Sequence, residues 1–359
     1  MNKKLIALAV ASVMAGPAIA SAADVEIYGK ARMSLGQVNN DNQAANQSDS
    51  EISITSHDSR FGIKGSEDLG NGLTAVYQIE SKVDLDNGGG KLAGRDSFVG
   101  LAGGFGTVVL GHHDTPYKLA TKKSDLWRDT YADIDKTILS AHNDRIENVL
   151  AYISPDMGGF TFLGAYSPDS GLGDNNDDLD GSDPEDHEDA ISLAVMGKIG
   201  PVAVSLAHQS VSNLADNLLV GGDPEESADG TKLSGIYSFG DMGSVGLVYE
   251  MVEIDEVEQD NIVLTGKFKI SDTTALKAIY GTRETDTGVA NSDEQEGTFI
   301  ALGVSTKLSK TVEAYALYTA ADNEESGDVS IKGVDAMGAG TDSEASAFAV
   351  GLNVNFSSK

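Results

Sequence analysis

Hydrophobic and polar residues alternate with a period of two along most of this chain. Val25, Ile27, Gly29, Ala31, Met33 and Leu35 fall on one face, while Glu26, Tyr28, Lys30, Arg32 and Ser34 fall on the other. That spacing predicts a strand whose two faces meet different surroundings. The texture returns at 73–80 and 263–270, and again near the end, where Phe348, Val350, Leu352, Val354 and Phe356 share a face. Each run is about ten residues long, the length a tilted strand needs to cross a bilayer. Charge in mid-strand is expensive against a dry core and ordinary against water. The polar face is therefore predicted to line a wet lumen.

The connections sort into two alternating sets. Short turns such as Gly70-Asn-Gly72, Gly103-Gly104 and Ser309-Lys310 alternate with long polar stretches at 38–50, 84–94, 112–143, 168–189, 212–230, 254–259, 285–296 and 321–344. Joined this way, about sixteen strands, an even number, have both ends on the short-turn side. The prediction is an all-β fold: a closed antiparallel transmembrane barrel over residues 23–359. A soluble β-sandwich would not impose the alternation, and sixteen strands enclose an aqueous lumen where eight would be filled by side chains. The stretch 112–143 stands apart. It carries Tyr117, Leu119, Leu126, Trp127, Tyr131, Ile134, Ile138 and Leu139, too much apolar material for a solvated loop of that length. It is predicted to fold into the barrel.

Composition adjusts this picture in three places. A formal charge of −31 repels phosphates and argues against a nucleic-acid partner. The chain has no cysteine, which excludes disulfides and thiolate metal sites. At the N-terminus Lys3 and Lys4 precede an apolar run from Leu5 to Ala15, then Pro17 and Ala20-Ser-Ala22, the pattern of a secretory signal over residues 1–22. The run is too short to span a bilayer.

Several segments resemble the general porins of Gram-negative bacteria. They are Ser59-Arg-Phe-Gly-Ile-Lys-Gly-Ser-Glu-Asp-Leu-Gly-Asn-Gly-Leu73, Arg95-Asp-Ser-Phe-Val-Gly-Leu101, Phe105-Gly-Thr-Val-Val-Leu-Gly111 and Asp114-Thr-Pro-Tyr117. The likeness is strongest over 23–167. It implies an outer-membrane homotrimer of sixteen-stranded barrels, each narrowed by an inward third loop, passing ions and small hydrophilic solutes. Small residues such as Gly29, Ala31 and Gly62 would then let barrels approach. Chains of that family end on an aromatic residue; here Ser357-Ser-Lys359 follows Phe356.

Lipid-facing Arg or Lys at mid-membrane costs about 2–4 kcal/mol, so Lys30, Arg32, Arg60, Lys64, Lys82, Arg95 and Arg145 are expected to face the lumen. The 112–143 loop supplies Asp125, Asp129, Asp133 and Asp135 opposite them. By resemblance, Arg60, Arg95 and Arg145 match the family's basic wall and the loop acids its opposing carboxylates. The same charges could simply tie the loop to the wall. No cofactor or metal is expected. The glycines at 100–111 precede no helix and no Lys-Ser/Thr, so they are not a phosphate cradle, and His112-His113-Asp114 point alternately to opposite faces. An EF-hand reading of the acid run 174–189 around Gly181 ends on His187 instead of Glu; divalent cations bridging these acids to lipopolysaccharide remain an expected partner. A substrate-specific channel is the nearest alternative, but no aromatic ladder marks one. A barrel enzyme would need a nucleophile, base and orienting group, and no spacing singles out a triad.

Overall fold

The computed structural model describes residues 24–42, 47–140, 142–171, 189–212, 227–254, 257–288, 295–324, 329–332 and 343–359. The expected signal segment 1–22 and the acid run 174–188 lie outside these residues. Eighteen strands form one sheet: β1 (Asp24–Asn42), β2 (Gln47–Ser56), β3 (Arg60–Gly70), β4 (Leu73–Val83), β5 (Gly90–Lys91), β6 (Ser97–Gly103), β7 (Gly106–Asp114), β8 (Arg145–Ile153), β9 (Phe160–Ser167), β10 (Ala190–Ile199), β11 (Val202–Val211), β12 (Ala228–Ser238), β13 (Gly243–Ile254), β14 (Val257–Lys269), β15 (Thr274–Asp286), β16 (Gln295–Lys307), β17 (Val312–Glu324) and β18 (Ser343–Ser357). β2 and β3 lie end to end along β1, and β5 and β6 along β4, so the wall has sixteen staves. Every neighbour is antiparallel, and β1 closes on β18 from Tyr28↔Ser357 to Asn42↔Ser343. The last residues continue that pairing: Ser358 N–H donates to the Ile27 carbonyl at 2.8 Å, and its hydroxyl accepts from Ile27 N at 3.0 Å.

Period two sorts the side chains as the alternation requires. Val25, Ile27, Leu35, Ile79, Leu110, Leu193, Leu206, Leu233, Leu264 and Leu302 are exposed on the outer surface, an apolar belt tolerable only against lipid. Among the described residues no helix is long and apolar enough to cross a membrane; strands do the crossing.

Three expectations need correction. The stretch 254–259 is not a long loop, because β13 and β14 stay in register to Ile254↔Val257. Likewise β1 and β2 pair out to Asn42↔Gln47, deep into 38–50. Strands on this side rise beyond the bilayer, where outward positions such as Gln37, Asn39, Glu253 and Glu258 are polar, so polarity imitates a loop. Gly62 cannot serve barrel contact either: it pairs with Tyr28 on the lumen face, and the Tyr28 ring fills the space beside it.

Candidate functional site

The loop between β7 and β8 leaves the rim and packs on inward-facing residues of the wall. It opens with a short helix, α1 (Pro116–Thr121), where Thr115 accepts from Lys118 N and Pro116 sits in the first turn, a favourable helix start. One face of the loop is apolar and docks into glycine sockets. A Cβ at Gly303 would lie 2.7 Å from the Trp127 ring, one at Gly281 2.8 Å from Ile138 Cγ1, one at Gly230 2.8 Å from the Tyr117 hydroxyl, and one at Gly36 3.3 Å from Tyr131. Trp127, Tyr131, Ile134 and Ile138 thereby join a buried cluster with Val248, Phe299, Tyr315 and Leu317 of the wall.

A polar node pins the end of the loop. The fully buried Glu250 carboxylate accepts from Tyr117 Oη at 2.9 Å, Asn143 Nδ2 at 2.7 Å, Ser140 N at 2.8 Å and Asn261 Nδ2 at 2.8 Å. Its cross-strand partner Lys232 lies 3.4 Å away, donates to Asn143 and sits 3.9 Å above the Tyr117 ring. Arg283 donates to the carbonyls of Ile138 and Leu139 at 2.9 and 3.2 Å. Both oxygens of the Glu250 carboxylate accept hydrogen bonds and Lys232 supplies its counter-charge, the condition under which a buried ion pair is tolerable.

The other face of the loop is ionic and meets β1–β8. Arg32 and Arg60 both donate to Asp129, Arg95 pairs with Glu80 at 2.7 Å and Asp58 at 3.1 Å, and Arg145 pairs with Asp96 at 2.7 Å and Asp114. Lys30 faces the same lumen beside Arg32 and Arg60, and Lys82 borders a cavity that Arg95 and Arg145 also line and pairs with Asp84 at 3.3 Å. Lys64 is apart from this group, paired with Glu26 at 3.5 Å toward the turn end. Asp58 and Asp129 both hold a left-handed backbone, φ 50° and 56°, uncommon outside glycine though easiest for Asp and Asn. The break between β2 and β3 is what aims Asp58 inward, as irregularities beside functional sites do.

The loop acids divide. Asp129 reaches wall arginines. Asp133 caps the following turn and pairs with Lys332 at 3.1 Å. Asp125, expected to face the wall, points into the loop instead, while Asp135 bonds within the loop and also lines the cavity bordered by Arg95 and Arg145. Asp125 accepts from Trp127 N at 3.0 Å, and Asp135 from the Thr121 hydroxyl at 3.2 Å. Burial first, and then the neighbouring Asp133 and Asp135, push the Asp125 carboxyl well above its ordinary range; burial and Asp133 raise Asp135 too. Two acidic triplets, Asp58–Asp129–Asp133 and Asp125–Asp133–Asp135, bring carboxylate oxygens within 4.8 Å. In the first the charge is already met by Arg32, Arg60 and Lys332. Asp114 serves Arg145 with Lys118, Lys122 and Arg128 at 3.7–3.9 Å, not a metal pair with His113.

Sequence reasoning missed Lys118, Arg128, Lys232, Glu250, Arg283 and Lys332. Lys232 and Glu250 were detectable, since each takes the inward phase beside lipid-facing Leu233 and Tyr249. Lys332 lay in a polar stretch with no periodicity to place it.

A barrel of sixteen staves with a charged belt across its lumen has a family counterpart. The Gram-negative porin profile matches residues 7–326. The chain belongs to that family. This porin is 31% identical over 182 residues to the major outer membrane protein P.IB of Neisseria gonorrhoeae, covering 49% of this chain and 51% of the relative; it thus spans about half the length of the curated relative it matches. Among solved structures, the anion-selective porin of Comamonas acidovorans superposes with TM-score 0.73 at 22% identity, over 93% of this chain and all of the other. OmpT of Vibrio cholerae in its trimer form superposes with TM-score 0.66 at 20% identity, over 94% and 100%. At such identities these two likenesses concern the fold.

Proposed function

We propose that this porin is a general diffusion channel, passing ions and small hydrophilic solutes across the outer membrane as a homotrimer, with residues 1–22 removed as a signal and the acidic loops bridged by divalent cations to lipopolysaccharide. The observation that carries the reading is the ionic belt. Guanidinium groups on one wall oppose carboxylates on the inward loop, while the loop's other face is held dry against the far wall. Such a transverse field orients dipolar solutes without a binding pocket, and charge in a confined constriction governs ion preference. The trimeric form of the Vibrio neighbour supports the oligomer.

Selectivity follows from two competing charge sets. The passage is lined by Lys82, Arg95, Lys118, Arg128, Lys136, Arg145 and Lys332 against Asp58, Asp129, Asp133, Asp135 and Asp144, so its cations, from wall and loops together, outnumber its acids. The outer segments 168–189, 212–230, 285–296 and 321–344 are rich in acid. Mouth charges are screened within a Debye length of about 8 Å near 0.15 M salt, while confined eyelet charges are screened less. We expect modest cation preference at low salt that weakens, then passes toward anions, as salt rises. Planar-bilayer recordings with reversal potentials in KCl gradients at low and high mean concentration test both claims. Absence of ohmic conductance would remove the channel reading; anion preference at low salt would show that the eyelet outweighs the mouth.

A further inference from the structure

The segment 329–332, between β17 and β18, also enters the lumen and docks on the β7–β8 loop. Val329 and Ile331 are 2% and 1% exposed and belong to the cluster that holds Trp127, Tyr131 and Ile134. Asn323 clasps the segment, its amide donating to the Val329 carbonyl at 2.8 Å and its oxygen accepting from Val329 N at 2.8 Å. Gly297 leaves the room that Val329 occupies. Three residues on, Lys332 N donates to the Tyr131 carbonyl at 3.0 Å, and the Lys332 ammonium reaches both Asp58 on the wall and Asp133 on the loop.

We infer that this segment is a strap over the constriction and that Lys332 is a selectivity-determining residue, supplied by the last long loop instead of by the wall or the third loop. The argument is one of placement. An ammonium between two carboxylates ties the β7–β8 loop to the β2–β3 junction, and it cancels acid that the passage would otherwise present. Burial of Val329 and Ile331 fixes where that charge stands. This inference rests on the channel reading for its effect on ions, but the docking of the strap does not.

Two measurements separate the layers. In bilayers, Lys332→Ala should raise the K⁺-over-Cl⁻ permeability ratio by about threefold, because Asp58 and Asp133 lose their counter-charge. Lys332→Arg should stay near the parent. In an Asp58→Asn/Asp133→Asn background, Lys332→Ala should change the ratio far less, since coupled groups are not additive. An unchanged ratio in Lys332→Ala would overturn the selectivity role even though the channel conducts. Independently of conductance, limited trypsin digestion of the detergent-folded barrel should spare the bond after Lys332 in the parent and cut it in Ile331→Asp, with folding of each checked by heat-dependent electrophoretic mobility. Rapid cleavage after Lys332 in the folded parent would overturn the strap itself.

Discussion

The two faces of the β7–β8 loop solve different problems with different residues. Toward β10–β17 the loop presents Tyr117, Trp127 and Ile138, and the wall answers with the absence of side chains at Gly230, Gly303 and Gly281. Toward β1–β8 it presents Asp129 and Asp133, and charges answer: Arg32 and Arg60 from the wall, Lys332 from the last loop. Glycine inside a strand normally weakens it; here the loss is offset by aromatic and aliphatic burial in the hole it leaves. Shape seats the loop against the far wall, and direct ion pairs join its other face to β1–β8.

The node that joins the two regimes gives the largest expected effect. Glu250→Gln keeps the volume but leaves the buried Lys232 ammonium without its counter-charge, which costs roughly 3–5 kcal/mol. Amide exchange through 116–140 should accelerate by orders of magnitude, while the lipid-facing strands stay protected. Unchanged exchange in that loop would show that the node does not hold it. A smaller effect is expected on the apolar face. Gly281→Val drives methyls into Ile138 and should destabilise docking by about 1–3 kcal/mol. Adding Ile138→Ala should restore exchange protection in part, and a failure of that rescue would show that the socket is not shaped by Ile138.

Much of this contrast was legible in the alternation of residues. The cost of setting charge against lipid, with the family resemblance, put Arg60, Arg95 and Arg145 on the lumen face, and the aromatic content of 112–143 marked a loop that packs. The sockets were not legible, because a glycine that makes room and a glycine that bends the chain read alike; Gly106 and Gly111, with φ of 109° and 152°, are of the second kind, and Gly281 of the first. Nor was the division among the loop acids, since spacing does not say that Asp125 turns into the loop toward Trp127 N while Asp129 reaches the wall arginines. Lys332 is the extreme case, placed by tertiary packing of two neighbours and an asparagine.

The smallest predicted effect concerns pH and the seam between the faces. His142 is buried at the end of the loop, its ring 6.1 Å from Tyr117, with neither ring nitrogen hydrogen-bonded among the described residues. Burial lowers its pKa to about 4; Glu250 opposes that, Lys232 assists it, and Asp229 and His208 act more weakly in opposite senses. The docked loop thus holds a neutral imidazole, while an undocked one would titrate near the ordinary 6.5. The undocked state binds the extra proton between those values, so docking is fully favoured above pH about 6.5 and weakens as pH falls toward 4. One unit of that window corresponds to about 1.4 kcal/mol, or tenfold in the docking equilibrium. Between pH 7 and 5.5, current noise from the loop should rise about tenfold in the parent and stay flat in His142→Asn, which cannot titrate. Equal acid sensitivity in both proteins would move the cause away from His142; Asp144, whose carboxyl burial would raise but Lys118 and Lys136 hold down at about 2, releases the loop only at far lower pH and does not supply it.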